Sequence, residues 1–329
     1  MRKITNWNRR ELLQAGAATA LLPVAGAAFA QAGYPDRAIK VVVPYPPGGN
    51  TDVIARDVAK GLSARLGQPV VIENKPGANS ILGTDLVAKA PADGHTLLVV
   101  IGAYANNQAL YRNLPYSPED FAPVSLLTRT SLVVTTGLPH IRSMADLVRE
   151  GTGKEGMTFA SSGVGSAAHL LGERFARTAR LKGAMHVPYK GSTDALNDLI
   201  AGRVSFMFDA VAAVGTHFRS GRLTPLAVTG DQRSPLLPNV PTLRELGYDM
   251  VASAWAALLA PARTPAPIVE RLAAESAQVL RDPELRARLA NISTDAVGST
   301  PAELKSFLAS EVKVNGDLIR QLGISMERQ

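Results

Sequence analysis

The chain has no cysteine among its 329 residues. This absence excludes disulfides, thiolate nucleophiles, cysteine metal ligands and the lipid anchor of a bacterial lipoprotein. Aromatic residues are also scarce, at 5% of the chain, and the basic residues are dispersed among acidic ones rather than collected in a block. The net charge of +7 therefore does not indicate a nucleic-acid-binding surface, and we expect no nucleic-acid partner. The five histidines lack zinc spacings such as H-E-x-x-H, so we expect neither a metal nor a cofactor.

The first thirty residues predict an export signal rather than a part of the fold. Basic residues precede a mostly apolar stretch, residues 12–28, which is short for a membrane span. Ala28-Phe29-Ala30 is a typical cleavage pattern and places the mature start at Gln31. The segment 8–13 resembles a twin-arginine signal but departs from the usual pattern at Asn8, so both Tat and Sec export stay open. We expect a periplasmic monomer of roughly 300 residues, enough for two domains, with a retained N-terminal anchor as the alternative.

Residues 41–66 combine a short apolar run, a proline- and glycine-rich turn and an amphipathic helix. The run 41–43 is typical of a buried strand, whereas residues 44–49 permit neither strand nor helix. Thr51 is predicted as the N-cap of a helix whose apolar residues repeat at four-residue spacing. The free N–H groups at such a helix start favour an anion by about 0.3–2 kcal/mol.

Strand-like and helix-like segments alternate along most of the chain, which predicts parallel sheets covered by helices. The predicted strands cover residues 39–43, 70–73, 97–101, 124–127, 132–136, 158–160, 184–187, 204–208, 226–229 and 255–259. The predicted helices cover residues 51–66, 80–88, 106–111, 143–149, 166–178 and 192–201, and two more begin at Thr264 and Thr300. Thr264 and Ser192 are predicted as N-caps, and Thr300 with Glu303 forms a capping box.

This order of segments indicates two α/β lobes, the first of which resumes at the C-terminus. Residues 31–128 plus 232–329 are expected to form the first lobe and residues 129–231 the second. The chain would cross between them near residues 127–130 and 227–231. Paired crossings of this kind act as a hinge, and ligands favour the cleft between such lobes.

Seven short motifs follow one another along the mature chain. They are VPYPPGGNTD (43–52), ENKPGAN (73–79), APADG (90–94), ASSGVGS (160–166), VPYKGS (187–192), LPNVPTL (237–243) and APARTP (260–265). Together they resemble the substrate-binding receptors of tripartite tricarboxylate transporters, often called Bug proteins, over essentially the whole mature chain. The resemblance implies a type II periplasmic binding protein fold, in which two Rossmann-like lobes are joined by a hinge and enclose a ligand cleft.

The same resemblance implies a function without a catalytic step. A receptor of this family captures a small organic carboxylate by lobe closure and delivers it to the membrane permease subunits of the transporter. Its ligand is held largely by backbone amides and ordered waters rather than by an arginine clamp. This accords with the turn before Thr51, which offers free amides to an anion.

The turns between strands and helices supply the candidate ligand residues of the first lobe. These candidates are Tyr45, Pro47, Gly48, Gly49, Thr51, Asp52, Ala78, Asn79, Ala103 and Tyr104. Three of them have a second interpretation. Tyr45 walls the pocket or is a packed loop aromatic, Asp52 caps its helix rather than touching an anion, and Tyr104 lies over the ligand or at the loop surface.

The second lobe repeats the pattern, with hydroxyls and glycines before a helix. Its candidates are Ser161, Ser162, Gly165, Ser166, His169, Tyr189, Lys190, Gly191 and Asp209. Hydroxyls and free amides can bind a second carboxylate or a polar tail. His169 is expected to be neutral, and Lys190 either attracts the anion or is solvated. Asp209 either accepts hydrogen bonds from a ligand hydroxyl or ammonium group or caps a helix, and Trp255 is expected in the core rather than in the pocket wall.

Two other classes of function stay open from the residues alone. A nucleophilic serine would make the protein an enzyme, but Ser161 and Ser162 lack the G-x-S-x-G elbow and no base stands at a recognisable spacing. A sensor that passes its closed form to a signalling partner needs the same closed state as a transport receptor. The sequence does not identify the ligand.

Overall fold

The computed structural model describes residues 33–153, 156–189 and 191–326. The predicted export signal, the predicted mature start at Gln31 and the candidate Lys190 lie outside the described residues. Within the described ranges, no helix has both the length and the apolar character needed to cross a bilayer.

Ten strands of the described chain form one sheet, and ten α-helices cover it. The strands are β1 (Ile39–Val43), β2 (Val70–Asn74), β3 (Thr96–Ile101), β4 (Phe121–Thr136), β5 (Thr158–Ser161), β6 (Met185–Pro188), β7 (Phe206–Ala210), β8 (Thr224–Val228), β9 (Ser253–Pro261) and β10 (Thr294–Ala296). The helices are α1 (Asn50–Leu66), α2 (Ile81–Ala88), α3 (Gly102–Leu110), α4 (Met144–Gly153), α5 (Ala167–Thr178), α6 (Ser192–Ile200), α7 (Val211–Arg219), α8 (Ala266–Leu280), α9 (Pro283–Ala290) and α10 (Pro301–Leu322). The strand order is β2-β1-β3-β9-β4-β7-β5-β6, with β8 and β10 also paired to β4.

The first lobe contains parallel strands β2, β1 and β3 and antiparallel β9. Side chains of β1 alternate between two cores, as the two-residue period of a strand requires. Val41 and Val43 pack on one face with Ile54 and Val58 of α1. Val42 faces the other core, which the C-terminal helix α10 also covers. A parallel sheet covered on both faces explains why β1 is apolar at consecutive positions.

The second lobe repeats this arrangement with parallel strands β6, β5 and β7. Phe159 and Phe206 lie in one core, while Ala160 and Met207 lie in the other. The connector of residues 232–252, which the sequence division assigns to the first lobe, places Val240 and Leu243 in these two cores of the second. The backbone explains this packing, since Val228 donates to Pro241 and accepts from Leu243. The division into lobes by residue number stays a prediction.

Strand β4 corrects one feature of the sequence interpretation. Residues 124–127 and 132–136 were expected to be two strands, but they belong to the single strand Phe121–Thr136. Its first part pairs with β9 as far as Ser131, and its second part pairs with β7 from Leu132 onward. The intervening residues 128–131 are all polar, which is why the sequence pattern suggests a break. Two irregularities in the β9 pairing lie just before them, between Pro123 and Thr128.

Several predicted helix boundaries also differ. The N-cap of α1 is Gly49, two residues before the predicted Thr51. The N-cap of α6 is Gly191 instead of Ser192, and that of α8 is Pro265 instead of Thr264. The helix expected at 106–111 begins at Gly102, directly after β3. Helices α7 and α9 and strand β10 were not predicted, since each is short and carries a weak pattern. The Thr300–Glu303 capping box at the start of α10 is confirmed.

Candidate ligand-binding cleft

The sheet topology brings the carboxyl ends of both sets of parallel strands to face each other. Strand β9 is antiparallel to both β3 and β4, so β4 runs in the direction of β3 and leaves the first lobe at the carboxyl ends of its strands. It then enters the second lobe beside the end of β7, because Leu132 pairs with Ala210 and Thr135 with Met207. Ligands of open α/β sheets bind outside the carboxyl ends of the strands. The two edges therefore define a candidate cleft.

Six helices begin at these two edges. In the first lobe α1, α2 and α3 follow β1, β2 and β3, and in the second lobe α5, α6 and α7 follow β5, β6 and β7. The first N–H groups of a helix have no acceptor inside it, and the helix dipole adds partial positive charge at the same place. Two opposed groups of three helix starts make the cleft suitable for an anion.

The turn before α1 is braced by Asp52. This carboxylate is 3% exposed, accepts the Gly48 N–H at 2.9 Å, and also accepts from Arg56 Nε and Asn74 Nδ2 at 2.9 Å each. The hydrogen bond from Arg56 is the main reason why its pKa is lowered to about 2, with Gly48 and Asn74 contributing. Asp52 thus holds the turn before the helix through Gly48, whereas the N-cap itself is Gly49 and has no side-chain hydrogen bond. Gly48 has a φ of +83° and open space beside it.

The remaining candidates of this turn differ in accessibility. Pro47 and Gly49 are exposed, and Thr51 is half-buried in the first turn of α1 with no side-chain hydrogen bond to the described residues. The Tyr45 ring packs against the core, and its hydroxyl is buried close to Ser80 without a hydrogen bond of normal geometry. Burial raises the pKa of Tyr45, although the nearby Ser80 hydroxyl opposes the effect.

The turn before α2 has an unusual backbone. Ala78, Asn79 and Ser80 all have positive φ angles, of 47°, 52° and 73°, a conformation that is costly for residues other than glycine. A reciprocal pair of amides stabilises it, since Asn79 Nδ2 donates to Asn107 Oδ1 at 2.8 Å and Asn107 Nδ2 donates to the Asn79 carbonyl at 2.9 Å. Ala78 and Asn79 are exposed at the rim of the first lobe.

The start of α3 changes the interpretation of Tyr104. Ala103 and Tyr104 lie in the first turn of the helix, where their N–H groups have no helical acceptor. The Tyr104 side chain is 2% exposed, is stacked on Tyr116, and meets the edge of Phe121. It belongs to the core of the first lobe, so the alternative that places this side chain at the loop surface is wrong, and a place over the ligand stays a prediction.

The glycine-rich loop of residues 161–166 forms the corresponding edge of the second lobe. Ser161 is fully buried and hydrogen-bonds to both the N–H and the carbonyl of Gly163. Ser166 is the N-cap of α5 and accepts the N–H of His169. Ser162 is half-buried, and no hydrogen bond joins its side chain to the described residues. Its hydroxyl therefore has free hydrogen-bonding capacity, and the Ser166 hydroxyl, which accepts from His169, keeps its own hydrogen for another acceptor.

Below this loop lies His169, which is neutral, as expected. Its Nδ1 accepts the Gly165 N–H at 3.0 Å, and burial lowers its pKa to about 4. The residue is 3% exposed, so its structural contact is with the loop.

The other two strand ends of the second lobe carry Tyr189, Gly191 and Asp209. The Tyr189 hydroxyl donates to Asp198 Oδ2 at 2.7 Å, and burial raises its pKa to about 12. Gly191 has a φ of +141° and open space beside it. Asp209 Oδ1 accepts the Ala210 N–H, whereas Oδ2 is buried without a hydrogen bond of normal geometry. Burial raises the pKa of Asp209, although Ala210 and the nearby Ser192 hydroxyl oppose the effect.

The structure shows two contacts of the cleft loop that were not predicted from the sequence. His186 Nε2 lies 2.7 Å from Ser161 Oγ, so a base does stand next to a candidate serine, 25 residues away in the chain. Asn106 Nδ2 donates to the Gly165 carbonyl at 2.8 Å and joins α3 of the first lobe to the loop of the second. Neither pair has a local signal, because its partners come from different elements. Trp255 is 3% exposed, which confirms its expected place in the core.

The described residues offer no metal centre. No group of three histidine, aspartate or glutamate side chains among them could hold a metal ion.

Comparison with known proteins identifies the family. The model of the tripartite tricarboxylate transporter family receptor matches residues 54–324. The chain belongs to this family. Protein BugT of Bordetella pertussis is 37% identical to it over 326 residues, which cover 94% of this chain and 99% of BugT.

Solved structures agree with the fold. Rpa4515 of R. palustris, solved with adipate, superposes with a TM-score of 0.77 at 32% identity and covers 88% of this chain and 98% of its own. MatC (Rpa3494) of Rhodopseudomonas palustris, solved with bound malate, gives a TM-score of 0.72 at 30% identity, covering 87% of this chain and all of its own. The expected periplasmic binding protein fold is thereby confirmed, and the protein is a solute-binding receptor.

Proposed function

We propose that this receptor captures a small organic carboxylate by closure of its two lobes and delivers it to the membrane subunits of a tripartite tricarboxylate transporter. The observation that carries the proposal is the opposition of six helix starts at two facing sheet edges. Amides at these positions can donate to carboxylate oxygens without a charged side chain. Micromolar affinity corresponds to about −8 kcal/mol, which several such contacts and apolar walls can supply.

The family relationship supports the same ligand class. Adipate and malate, the ligands in the two solved structures, are both small dicarboxylates. Opposed anion-binding edges suit a ligand with a carboxylate at one or both ends. The bound ligand undergoes no chemical step under this proposal. Ser161, the serine with a base beside it, is fully buried and already bonded to its own loop.

Asp209 narrows the ligand class further. An ionised carboxylate beside an anionic ligand is unfavourable unless a donor stands between them. The buried Oδ2 would accept a hydrogen bond from a ligand hydroxyl or ammonium group, so we propose a hydroxy or amino acid. The Asp209→Asn variant tests this assignment, because it should bind the hydroxylated ligand at least tenfold more weakly while the ligand without the hydroxyl loses little.

The cellular setting follows from the family, whose members act in the periplasm. Export by the N-terminal segment, with removal of residues 1–30, and a monomeric state remain proposals. Mass spectrometry of the periplasmic protein would test the cleavage site, since a mature chain beginning at Gln31 is expected. A chain that still carries the first thirty residues would contradict it.

A binding screen tests the main proposal. Purified protein is titrated by calorimetry with mono-, di- and aromatic carboxylates and with the matched amides, which keep the shape but lack the charge. We expect saturable binding of one carboxylate class and no binding of its amides. A ligand at a hundredfold excess over its dissociation constant should also stabilise the fold by about 2.7 kcal/mol. Binding of sugars or cations alone would contradict the proposal.

Ser162→Ala locates the site within the cleft. Removing a hydroxyl that bonds a charged ligand costs about 1.5–3 kcal/mol, so we expect at least tenfold weaker binding. Ser220→Ala is the matched control, because Ser220 is exposed just after α7, at the end of that helix away from the cleft. Equal affinities of the two variants would place the ligand elsewhere.

Delivery to a transporter needs an experiment in cells. A strain that lacks the gene should lose uptake of the ligand, and the gene on a plasmid should restore it. Normal uptake together with lost induction of ligand-responsive genes would instead indicate a sensor.

A further inference from the structure

Two histidines of the second lobe form a stacked pair beneath the loop of residues 161–166. The rings of His169 on α5 and His186 on β6 lie 3.7 Å apart between centroids, with 17° between their planes. Phe159 of β5 is stacked with both, at 6.5 Å from His169 and 5.2 Å from His186. The pair thus forms an aromatic layer with Phe159, in which His169 is buried and His186 is half-buried.

Each imidazole contacts a different point of the loop. His169 Nδ1 accepts the Gly165 N–H at 3.0 Å, so this nitrogen carries no proton and the ring hydrogen is on Nε2. His186 Nε2 lies 2.7 Å from Ser161 Oγ, which in turn bonds Gly163 at its N–H and its carbonyl. The two histidines therefore hold both ends of the loop.

Gly165, whose N–H donates to His169, also contacts the first lobe. The Gly165 carbonyl accepts from Asn106 Nδ2 at 2.8 Å in a buried hydrogen bond. Gly165 has a φ of +77°, and the side chain of Leu110 occupies the space where a Cβ would stand. Leu110 packs in turn with Leu170, the residue after His169. The His169 imidazole therefore contacts the loop, and the loop contacts the first lobe.

Protonation of His169 would break its hydrogen bond with Gly165. A proton on Nδ1 would point at the Gly165 N–H, and two donors cannot share a hydrogen bond. The charged imidazolium would also lie in contact with the second ring of the stack, where a second positive charge is repelled. Burial lowers the pKa of His169 to about 4, and burial together with the charge of His169 lowers the pKa of His186 to about 4.

The groups that surround the pair do not offer a strong compensating charge. On α5, Glu173 Oε1 is 3.9 Å from His169 Nε2, and burial raises the pKa of this glutamate, opposed by Arg177 on the same helix. From β5 the pair is contacted by two neutral side chains, Phe159, which is stacked with both rings, and Ser161, which meets His186. Leu110 of α3 and Ile319 of α10 pack with Leu170, the residue after His169.

We propose that His169 and His186 are positioning residues for the ligand, which in their neutral form hold the loop in its anion-binding shape and keep Gly165 against the first lobe. Ligand affinity should therefore fall as the solution becomes acidic. The inference rests on the proposed function, because it takes the loop as part of the ligand site. It adds a residue role that acts through Gly165 and Ser161 rather than by ligand contact.

The direction of the pH effect follows from linkage. A displaced loop would expose the histidines and return them toward the ordinary value of about 6.5. The displaced state would then bind more protons than the ordered state at pH values between about 4 and 6.5, so acid favours it. If the pKa of one histidine returned completely to its ordinary value, the affinity for the ligand at pH 5 would fall by at most about 30-fold.

The decisive test compares affinities at pH 7.5 and pH 5.0 by calorimetry. The probe is the member of the carboxylate panel that binds the wild-type protein most tightly at pH 7.5. We expect the wild type to bind it at least fivefold more weakly at pH 5.0. His169→Asn keeps an acceptor near Nδ1 but does not titrate, so it should lose most of the pH dependence whatever its affinity at pH 7.5. The ionisation of the ligand affects both proteins equally. Only the difference in pH dependence between the wild type and His169→Asn is therefore assigned to His169.

Two further variants separate positioning from folding. His169→Phe keeps the stacked ring but removes the acceptor, and should bind weakly at both pH values while remaining folded by circular dichroism. His140→Gln is the control, because His140 is 60% exposed and paired with Glu150, and it should behave as the wild type.

A measurement without ligand completes the test. In NMR spectra of the free protein, the Gly165 amide proton should titrate together with the His169 imidazole and should lose this titration in His169→Asn. The inference is overturned if His169→Asn keeps the wild-type pH dependence, or if the Gly165 amide does not follow the imidazole. Failure of the whole panel to bind at pH 7.5 would overturn the proposed function instead.

Discussion

At the scale of single residues, the turns of the cleft depend on a few side chains and glycines that hold the backbone in place. Asp52 binds the N–H of Gly48 from below the first turn, and His169 binds that of Gly165 in the second lobe. Both accept a hydrogen bond from the backbone of a turn that precedes a helix of the cleft. The binding geometry is therefore set by side chains that need not touch the ligand.

Gly165→Ala should destabilise the protein by about 1–3 kcal/mol. The positive φ disfavours any side chain, and the new Cβ would lie 2.5 Å from Leu110 Cδ1. Gly215→Ala is the control, since this glycine lies in α7 with nothing within 4 Å of the place where a Cβ would stand, and should be neutral or stabilising by up to about 1 kcal/mol. Urea unfolding monitored by circular dichroism measures both, and equal effects would contradict the close contact between Gly165 and Leu110.

Asp52→Asn should remove a pH-dependent part of the stability. Because the pKa of Asp52 is lowered to about 2 in the folded protein, its ionised form stabilises the fold above the ordinary value of about 3.9. That contribution is lost as the pH falls from about 5 toward 2. We expect the variant to be less stable by about 1–2 kcal/mol at pH 7, with a difference that shrinks in acid. A difference that does not depend on pH would show that the charge is unimportant.

At the scale of elements, the C-terminal helix α10 covers the first lobe and reaches the junction with the second. Phe307 meets Trp255 of β9 edge to face at 5.4 Å, and the Trp255 Nε1–H donates to Glu311 at 2.8 Å. Farther along the helix, Ile319 packs with Leu110 and Leu170, which belong to different lobes. Burial at this interface raises the pKa of Glu311, against the opposing effect of its hydrogen bond from Trp255.

Glu311→Gln should stabilise the protein at neutral pH. Glutamine keeps an acceptor for Trp255 but removes a buried charge, so we expect a gain of about 1 kcal/mol at pH 7.5. Because the pKa of Glu311 is raised in the fold, the wild type loses stability as the pH rises through that value. The advantage of the variant should therefore disappear toward pH 4. Glu311→Ala, which leaves the tryptophan without an acceptor, should be destabilised by about 1–3 kcal/mol, and a stabilised alanine variant would contradict the role of the hydrogen bond.

At the scale of the whole molecule, strand β4 runs through both lobes, while α3 and the loop of residues 161–166 join the lobes at the side of the cleft. Strand β4 is continuous across the junction, with Ser131 paired to Ser253 of β9 and Leu132 paired to Ala210 of β7. The contact between Asn106 and Gly165 and the packing of Leu110 with Leu170 are parts of this junction that depend on side chains. At these contacts the relative position of the lobes can be altered without breaking a strand.

Asn106→Ala should loosen the lobes in the free protein. The substitution leaves the buried Gly165 carbonyl without its donor, at a cost of about 1–3 kcal/mol. We expect a larger radius of gyration by small-angle X-ray scattering than for the wild type, and a return to the wild-type value when a carboxylate is bound. Asn79→Ala is the control, because Asn79 pairs with Asn107 inside the first lobe, and its free radius should not change. Identical scattering of both variants would mean that Asn106 does not restrain the lobes.

What the sequence determined by itself is local or carried by motifs: the alternation of strands and helices, the glycine turns that begin the cleft helices, the capping box of α10 and the family. These follow from residue periodicity and backbone restrictions that act over a few positions. The tertiary structure alone decided that β4 is continuous, that the Tyr104 side chain is buried, and that Ser161 meets His186. It also decided that Asn106 contacts Gly165, a residue 59 positions away. Such contacts depend on how separate elements pack, and packing over long separations leaves no periodic trace in the chain.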